Sequence, residues 1–260
     1  MKLPFAPFVL AGVALLSAII VVAAVPATAP VSQPAPARVP VLLELFTSEG
    51  CSSCPPADKV LQALDRQPLA GADLIVLSEH VDYWNYLGWK DPYSSPVFTQ
   101  REQKYSDQLG ESVYTPQLVI DGQVQLVGSD QREILQSIAR AVLRPKLSVS
   151  VTVEGSGASG GIHVEANSGG RNADLYIAIA VDRMQTQVLR GENGGHVLTH
   201  VAVAQSLTRI GKWDGTGLSR RDLPFPSRPA GTALPRATRV IAILQDPETG
   251  RILGVAQTKI

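Results

Sequence analysis

Val41-Leu42-Leu43-Glu44-Leu45-Phe46, Thr47-Ser48-Glu49-Gly50, then Cys51-Ser52-Ser53-Cys54-Pro55-Pro56-Ala57-Asp58 is the stretch that decides how this chain is read. The first six residues are apolar except for Glu44, the length and composition of a buried strand. Pro55-Pro56-Ala57-Asp58 opens a helical pattern, because proline is tolerated in a first turn. Val60, Leu61 and Leu64 share one side of that helix. Cys51 and Cys54 are the only two cysteines of the chain, and they fall at the strand-to-helix junction. Two thiols separated by two residues can close a short disulfide, and the helix N-terminus favours a thiolate on Cys51. That is the physical basis of thiol–disulfide exchange. A purely structural disulfide is the plainer reading; against it, so small a loop restrains the unfolded chain little.

After this helix, Leu74-Ile75-Val76-Leu77 reads as a second buried strand. A polar–aromatic stretch, Val81 to Tyr93, follows, with Trp84 and Trp89 either packed or lining a groove. The spacing predicts a helix over 98–109, starting near Ser94-Ser95-Pro96 and stopping at Gly110. Gln117–Gly122 and Gln123–Gly128 predict a hairpin turning at Asp121-Gly122. Ser129-Asp130 caps a helix from Gln131 to Leu143, which Pro145 ends. From Lys146 onward the pattern changes to alternating strands and glycine-rich turns: Leu147–Glu154, Ile162–Ala166, Leu175–Val181, Thr238–Leu244 and Ile252–Gln257.

The N-terminus differs from everything after it. Phe8 to Val25 holds only apolar residues, Gly and Ser, and residues 26–38 form a Pro/Ala-rich linker. Residues 1–25 are expected to be a signal peptide or an N-terminal membrane anchor. Either reading exports the rest of the chain, to a periplasm or the cell exterior, free or held at the inner membrane. There disulfides persist. Of the 260 residues 45% are hydrophobic and 18% charged, and the formal net charge is zero, so no nucleic-acid partner is expected.

Strand, Cys-x-x-Cys, helix, strand, helix, Thr115-Pro116, hairpin and helix is an order that resembles the thioredoxin fold. Glu44–Asp58, His80-Val-Asp-Tyr-Trp84, Leu87-Gly-Trp-Lys-Asp-Pro92, Tyr114-Thr-Pro-Gln117, Val127-Gly-Ser-Asp130 and Arg190-Gly-Glu-Asn193 are similar to the domain of unknown function 1223 family. That family of exported bacterial proteins is placed in the thioredoxin-like superfamily. The expected architecture is thus an α/β thioredoxin-like domain over residues 39–144, followed by an all-β sandwich-like domain over 145–260. The resemblance implies that Pro116 lies in a cis bond against a Cys51–Cys54 disulfide. It also implies that Thr115 offers backbone groups to an extended substrate. Where thioredoxins carry an aromatic before the first cysteine, Gly50 stands here.

The expected function is thiol–disulfide exchange on envelope or secreted proteins, without a cofactor. The partners are protein or peptide thiols and disulfides. Cys51 attacks and Cys54 resolves the mixed disulfide, with Glu44 relaying protons to Cys54 if it points inward. Trp84 is a candidate wall of the substrate groove. The alternative is a non-catalytic protein-binding or metal-handling module, holding copper or zinc through Cys51, Cys54 and His80, perhaps with Asp82. His196-Val-Leu-Thr-His200 reads as strand, which puts its two imidazoles about 13 Å apart, too far for one ion. The Arg190–Asn193 segment is a candidate contact with the cysteine-bearing part of the chain.

Overall fold

The computed structural model describes residues 1, 38–155, 160–167, 169–213, 217–225 and 238–260. The chain divides into Met1–Ala35 and Pro36–Ile260, and every strand and helix described belongs to the second unit. The segments read as signal peptide or anchor and as linker lie outside the described residues, apart from Met1 and Arg38. Among the described residues no helix is long and apolar enough to cross a membrane.

The first elements follow the expected order. Strand β1 (Val39–Thr47) leads to helix α1 (Cys54–Arg66), and β2 (Ala72–His80) pairs parallel with β1. Helix α2 (Pro96–Leu109) starts on Ser95, whose side chain accepts from the Val97 N–H, and stops at Gly110 with φ +73°. Strands β3 (Gln117–Ile120) and β4 (Val124–Val127) form the hairpin. Positive φ at both Asp121 and Gly122 makes its turn the kind that matches strand twist. Helix α3 (Gln131–Ala141) is capped by the Asp130 carboxylate on the Glu133 N–H.

The later strands do not stand apart. They are β5 (Val149–Glu154), β6 (Gly161–Asn167), β7 (Ala173–Gln187), β8 (Val197–Trp213), β9 (Leu218–Pro224), β10 (Thr238–Gln245) and β11 (Ile252–Lys259). Four of them extend the first sheet into one mixed sheet of order β11-β10-β7-β8-β2-β1-β3-β4, while β5-β6-β9 form a smaller sheet. The seam is a single parallel bridge between Ser78 on β2 and Val203 on β8. Beside it Ala202 has φ +48°, and the register of β8 against β7 shifts between Ile179 and Ala180. Such an irregularity re-aims side chains: Val201 and Ala202 pack with the residues of α1 and α3, Ala204 with those of α2.

The expected pair, a thioredoxin-like α/β domain and then a separate β sandwich, is therefore overturned. The chain is mostly β, with three helices and eleven strands among the described residues. The reason is one continuous apolar layer. Leu42, Ile75, Leu77, Phe98, Ala178, Ala180, Ala204, Ile241, Ile243, Ile252 and Val255 form a single cluster under α2. Splitting the chain near residue 144 would expose that layer on both sides. On the opposite face α1 and α3 cover β1, β2 and β3, and the small sheet covers β7, β10 and β11.

Candidate functional site

The N-terminus of α1 carries the cysteines. Pro55 and Pro56 occupy its first positions, where their missing N–H groups leave no bond unmade. Cys54, Ala57, Asp58, Leu61 and Leu64 form its buried face. Cys51 and Cys54 are joined in a disulfide with Cα atoms 5.4 Å apart. Both residues are fully covered, at 0% exposure, whereas Ser52 and Ser53 between them are exposed.

The Thr115–Pro116 peptide bond is cis, and the Thr115 carbonyl lies beside the cysteine loop. The Ser53 hydroxyl sits 3.3 Å from Cys51 Sγ and 3.5 Å from the Thr115 carbonyl. Trp84 Nε1 donates to Thr115 Oγ1 at 2.8 Å, so this tryptophan stands next to the turn. Gly50 is explained by the same side chain: a Cβ there would lie 3.1 Å from Trp84 Cβ. An aromatic from the 81–93 stretch thus borders the position where an aromatic before Cys51 was missing. Gly128 lets the end of β4 reach α1, since a Cβ would stand 2.7 Å from Leu45 Cδ1 and 3.0 Å from Ala57 Cβ.

Beneath the cysteines lies a buried polar cluster. His200, on β8, places Nε2 3.5 Å from Glu49 Oε1 and Nδ1 3.4 Å from Asp58 Oδ2. Neither ring nitrogen is in hydrogen-bonding geometry, so these contacts are charge to charge and favour the imidazolium. Burial opposes that charge, but Asp58 and Glu49 outweigh it and push the His200 pKa up to about 10. His80 stacks edge-on against His200, with ring centres 4.6 Å apart, and its Nδ1 is 2.6 Å from Asp91 Oδ2. Burial would raise the Asp91 carboxyl; His80 and the N–H groups of Glu49 and Tyr93 instead hold it below its ordinary value. Trp89 Nε1 donates to Glu49 Oε2 at 2.8 Å, so the 81–93 stretch packs on the loop before Cys51.

The predicted site residues separate into two groups. Cys51, Cys54, Thr115, Pro116 and Trp84 come together. Glu44 goes elsewhere: it bonds Arg101 Nε at 2.5 Å and Tyr105 OH at 2.6 Å on the α2 face, opposite the face that packs α1. The donor set Cys51, Cys54 and His80 is not assembled. The sulfurs are bonded to each other, His80 faces Asp91 and His200, and Asp82 accepts from Thr99 Oγ1. Among the described residues no group of three or more His, Cys, Asp and Glu is arranged to hold a metal ion.

Sequence reasoning did not single out Glu49, Asp58 or Asp91, and it dismissed His200 as an ordinary strand residue. Nothing local marks these four, because the fold alone brings positions 49, 58, 91 and 200 together. The Arg190–Asn193 segment does meet the cysteine loop. Asn193 Nδ2 donates to the carbonyls of Glu49 and Cys51, both at 2.9 Å, and Glu192 Oε2 accepts from the Ser52 N–H at 3.0 Å. The bonds from Ser52 hold the Glu192 carboxyl below its ordinary value.

Fold and site together define a mixed-sheet, mostly β protein with a Cys-x-x-Cys disulfide seated against a Thr-Pro turn. The chain belongs to the family described as Protein of unknown function (DUF1223), whose profile matches residues 42–245. Protein AGR_C_4864 from Agrobacterium tumefaciens, known from a crystal structure, is similar at 27% identity with a TM-score of 0.65. That match covers 85% of this chain and 94% of the other. HBP35 of Porphyromonas gingivalis shares the fold with a TM-score of 0.59 at 14% identity, over 86% of this chain and 76% of that one. No curated protein is significantly similar to the chain.

Proposed function

We propose that this protein carries out thiol–disulfide exchange on polypeptides outside the cytoplasm through Cys51 and Cys54. The observation that carries the reading is the seat of the disulfide: at the N-terminus of α1, with Ser53 bridging towards the Thr115 carbonyl. The helix end favours a thiolate on Cys51, and an X-Pro turn beside it suits an extended partner. In the reducing direction the Cys51 thiolate attacks a substrate disulfide, forming a mixed disulfide as the substrate S–S bond breaks and its other sulfur leaves as a thiolate. Cys54, after losing its proton, then attacks Cys51 Sγ and the substrate leaves as a thiol. The protein dithiol is oxidised as the substrate is reduced.

A second reading is favoured by the complete burial of both cysteines: a disulfide that only stabilises its loop. One experiment separates the two. The full chain is equilibrated against glutathione and dithiothreitol buffers spanning about −120 to −330 mV. Insulin reduction and ribonuclease reoxidation are then assayed beside Cys51→Ser. Exchange requires a reversible potential in that window and activity lost in the variant. A bond that stays oxidised throughout, or turnover equal to that of Cys51→Ser, leaves the stabilising role.

A further inference from the structure

The disulfide has no exposed surface, yet the two serines inside its loop are open to solvent. The turn joining β7 to β8 rests on the backbone of this loop. This turn is closed on itself: Val188 N–H donates to the His196 carbonyl, Gly195 N–H to Val188, and Gly194 N–H to Gly191. Leu189, Arg190, Gly191, Glu192 and residues 194–196 are exposed, so little apolar burial holds the turn down. Its polar links to the cysteine loop come from two side chains. The Asn193 amide donates to the Glu49 and Cys51 carbonyls, and the Glu192 carboxylate accepts from Ser52 N–H. Gly191 completes the seat, since a Cβ there would lie 3.1 Å from Trp89 Cβ and 3.4 Å from the Leu87 carbonyl. No strand pairing joins the turn to the segment between β1 and α1. The cysteine side, in contrast, is anchored in β1 and in the buried face of α1.

We propose that residues 189–196 form a lid over Cys51–Cys54, latched by Asn193 and Glu192, which swings away as a unit to admit the partner of the disulfide. This rests on the exchange reading for its purpose, and it adds the means of access. A segment with few buried apolar contacts and a closed hydrogen-bond pattern of its own is the kind that opens locally without global unfolding. The latch also defines what displaces it. One amide donor sits on the Cys51 carbonyl and one carboxylate acceptor on the Ser52 N–H. An extended peptide offers a donor and an acceptor on each residue, so it replaces both latch contacts as it binds. The lid thus selects for extended polypeptide over compact small thiols.

The test follows reduction of the oxidised full chain by excess dithiothreitol. The reagent passes two electrons and two protons to Cys51 and Cys54 and closes to its own cyclic disulfide. Rates are taken in rising urea below the unfolding transition. A local lid gives a shallow urea dependence, far below the slope of global unfolding. Asn193→Ala is expected to speed reduction about tenfold, equivalent to about 1.4 kcal/mol of latch. Glu192→Gln, at an exposed position that leaves folding intact, is expected to speed it about threefold. A urea slope equal to that of global unfolding, or both variants reduced at the parent rate, overturns the lid. Variants that open faster while no protein substrate turns over leave the lid standing and sink the exchange reading. Insulin turnover unaffected by either variant, with parent reduction rates, does the reverse.

Discussion

Two buried polar clusters face each other across the logic of this protein, and they differ in the cation at their centre. Under α2, Arg101 bonds Glu44, lies 3.6 Å from Glu79, and shares Tyr105 with Gln245 of β10. Near the disulfide, His200 stands between Glu49 and Asp58. An arginine stays charged at every accessible pH, so the first cluster is a fixed bolt between α2, β1, β2 and β10. A histidine is charged only below its pKa, which the two carboxylates raise, so the second cluster responds to pH. The permanent ion sits between α2 and the sheet; the titratable one sits beside the cysteine loop.

Arg101→Met should break the first cluster most severely. It strands Glu44 beside Glu79, whose carboxyl burial and Glu44 already push well above its ordinary value. The expected loss is about 3–5 kcal/mol in urea unfolding at pH 7 and no smaller at pH 9, where the stranded carboxyls are more fully ionised. His200→Gln should cost less, about 3 kcal/mol at pH 6.5, and its cost should fade with rising pH. The sign follows from the raised pKa: the stabilisation is complete below the unfolded value near 6.5 and is lost through about pH 10. A deficit that is constant from pH 6.5 to 10 would remove His200 as the cation of its cluster. The smallest effect belongs to Glu102, next to Arg101 on α2. Burial pushes its carboxyl up to about 7, against bonds from Tyr83 and the Tyr114 backbone. The stabilisation this gives is complete below about pH 4.5 and lost as pH rises through 7. Glu102→Gln should therefore be about 1–2 kcal/mol more stable than the parent at pH 8 and equal to it at pH 4. Equal stability at both pH values would show an ordinary carboxyl.

Much of the first 144 residues was legible because its signals are local. Proline at the start of α1, Ser95 and Gly110 at the ends of α2, Asp121-Gly122 in the hairpin and Asp130 before α3 each act over four residues or fewer. The approach of Cys51–Cys54 to the Thr115–Pro116 turn was legible too, through a resemblance rather than through any local signal. Glu44 was legible as a buried-strand residue and not as a partner of Arg101, because β1 alone does not say which of its faces meets α1. The seam between β2 and β8 left no trace in either strand. One bridge, a positive φ at Ala202 and a shifted register make it, and each depends on what lies alongside.

By itself the sequence determined where helices form, to within a few residues at their ends, which pair of sulfurs can close, and where the chain turns, because those outcomes depend on neighbours along the backbone. Tertiary structure alone decided that one apolar layer unites the two halves. It also decided that Glu49, Asp58 and His200 share a charge. Those contacts join positions more than a hundred residues apart, and their energies come from burial and proximity that only the folded chain creates.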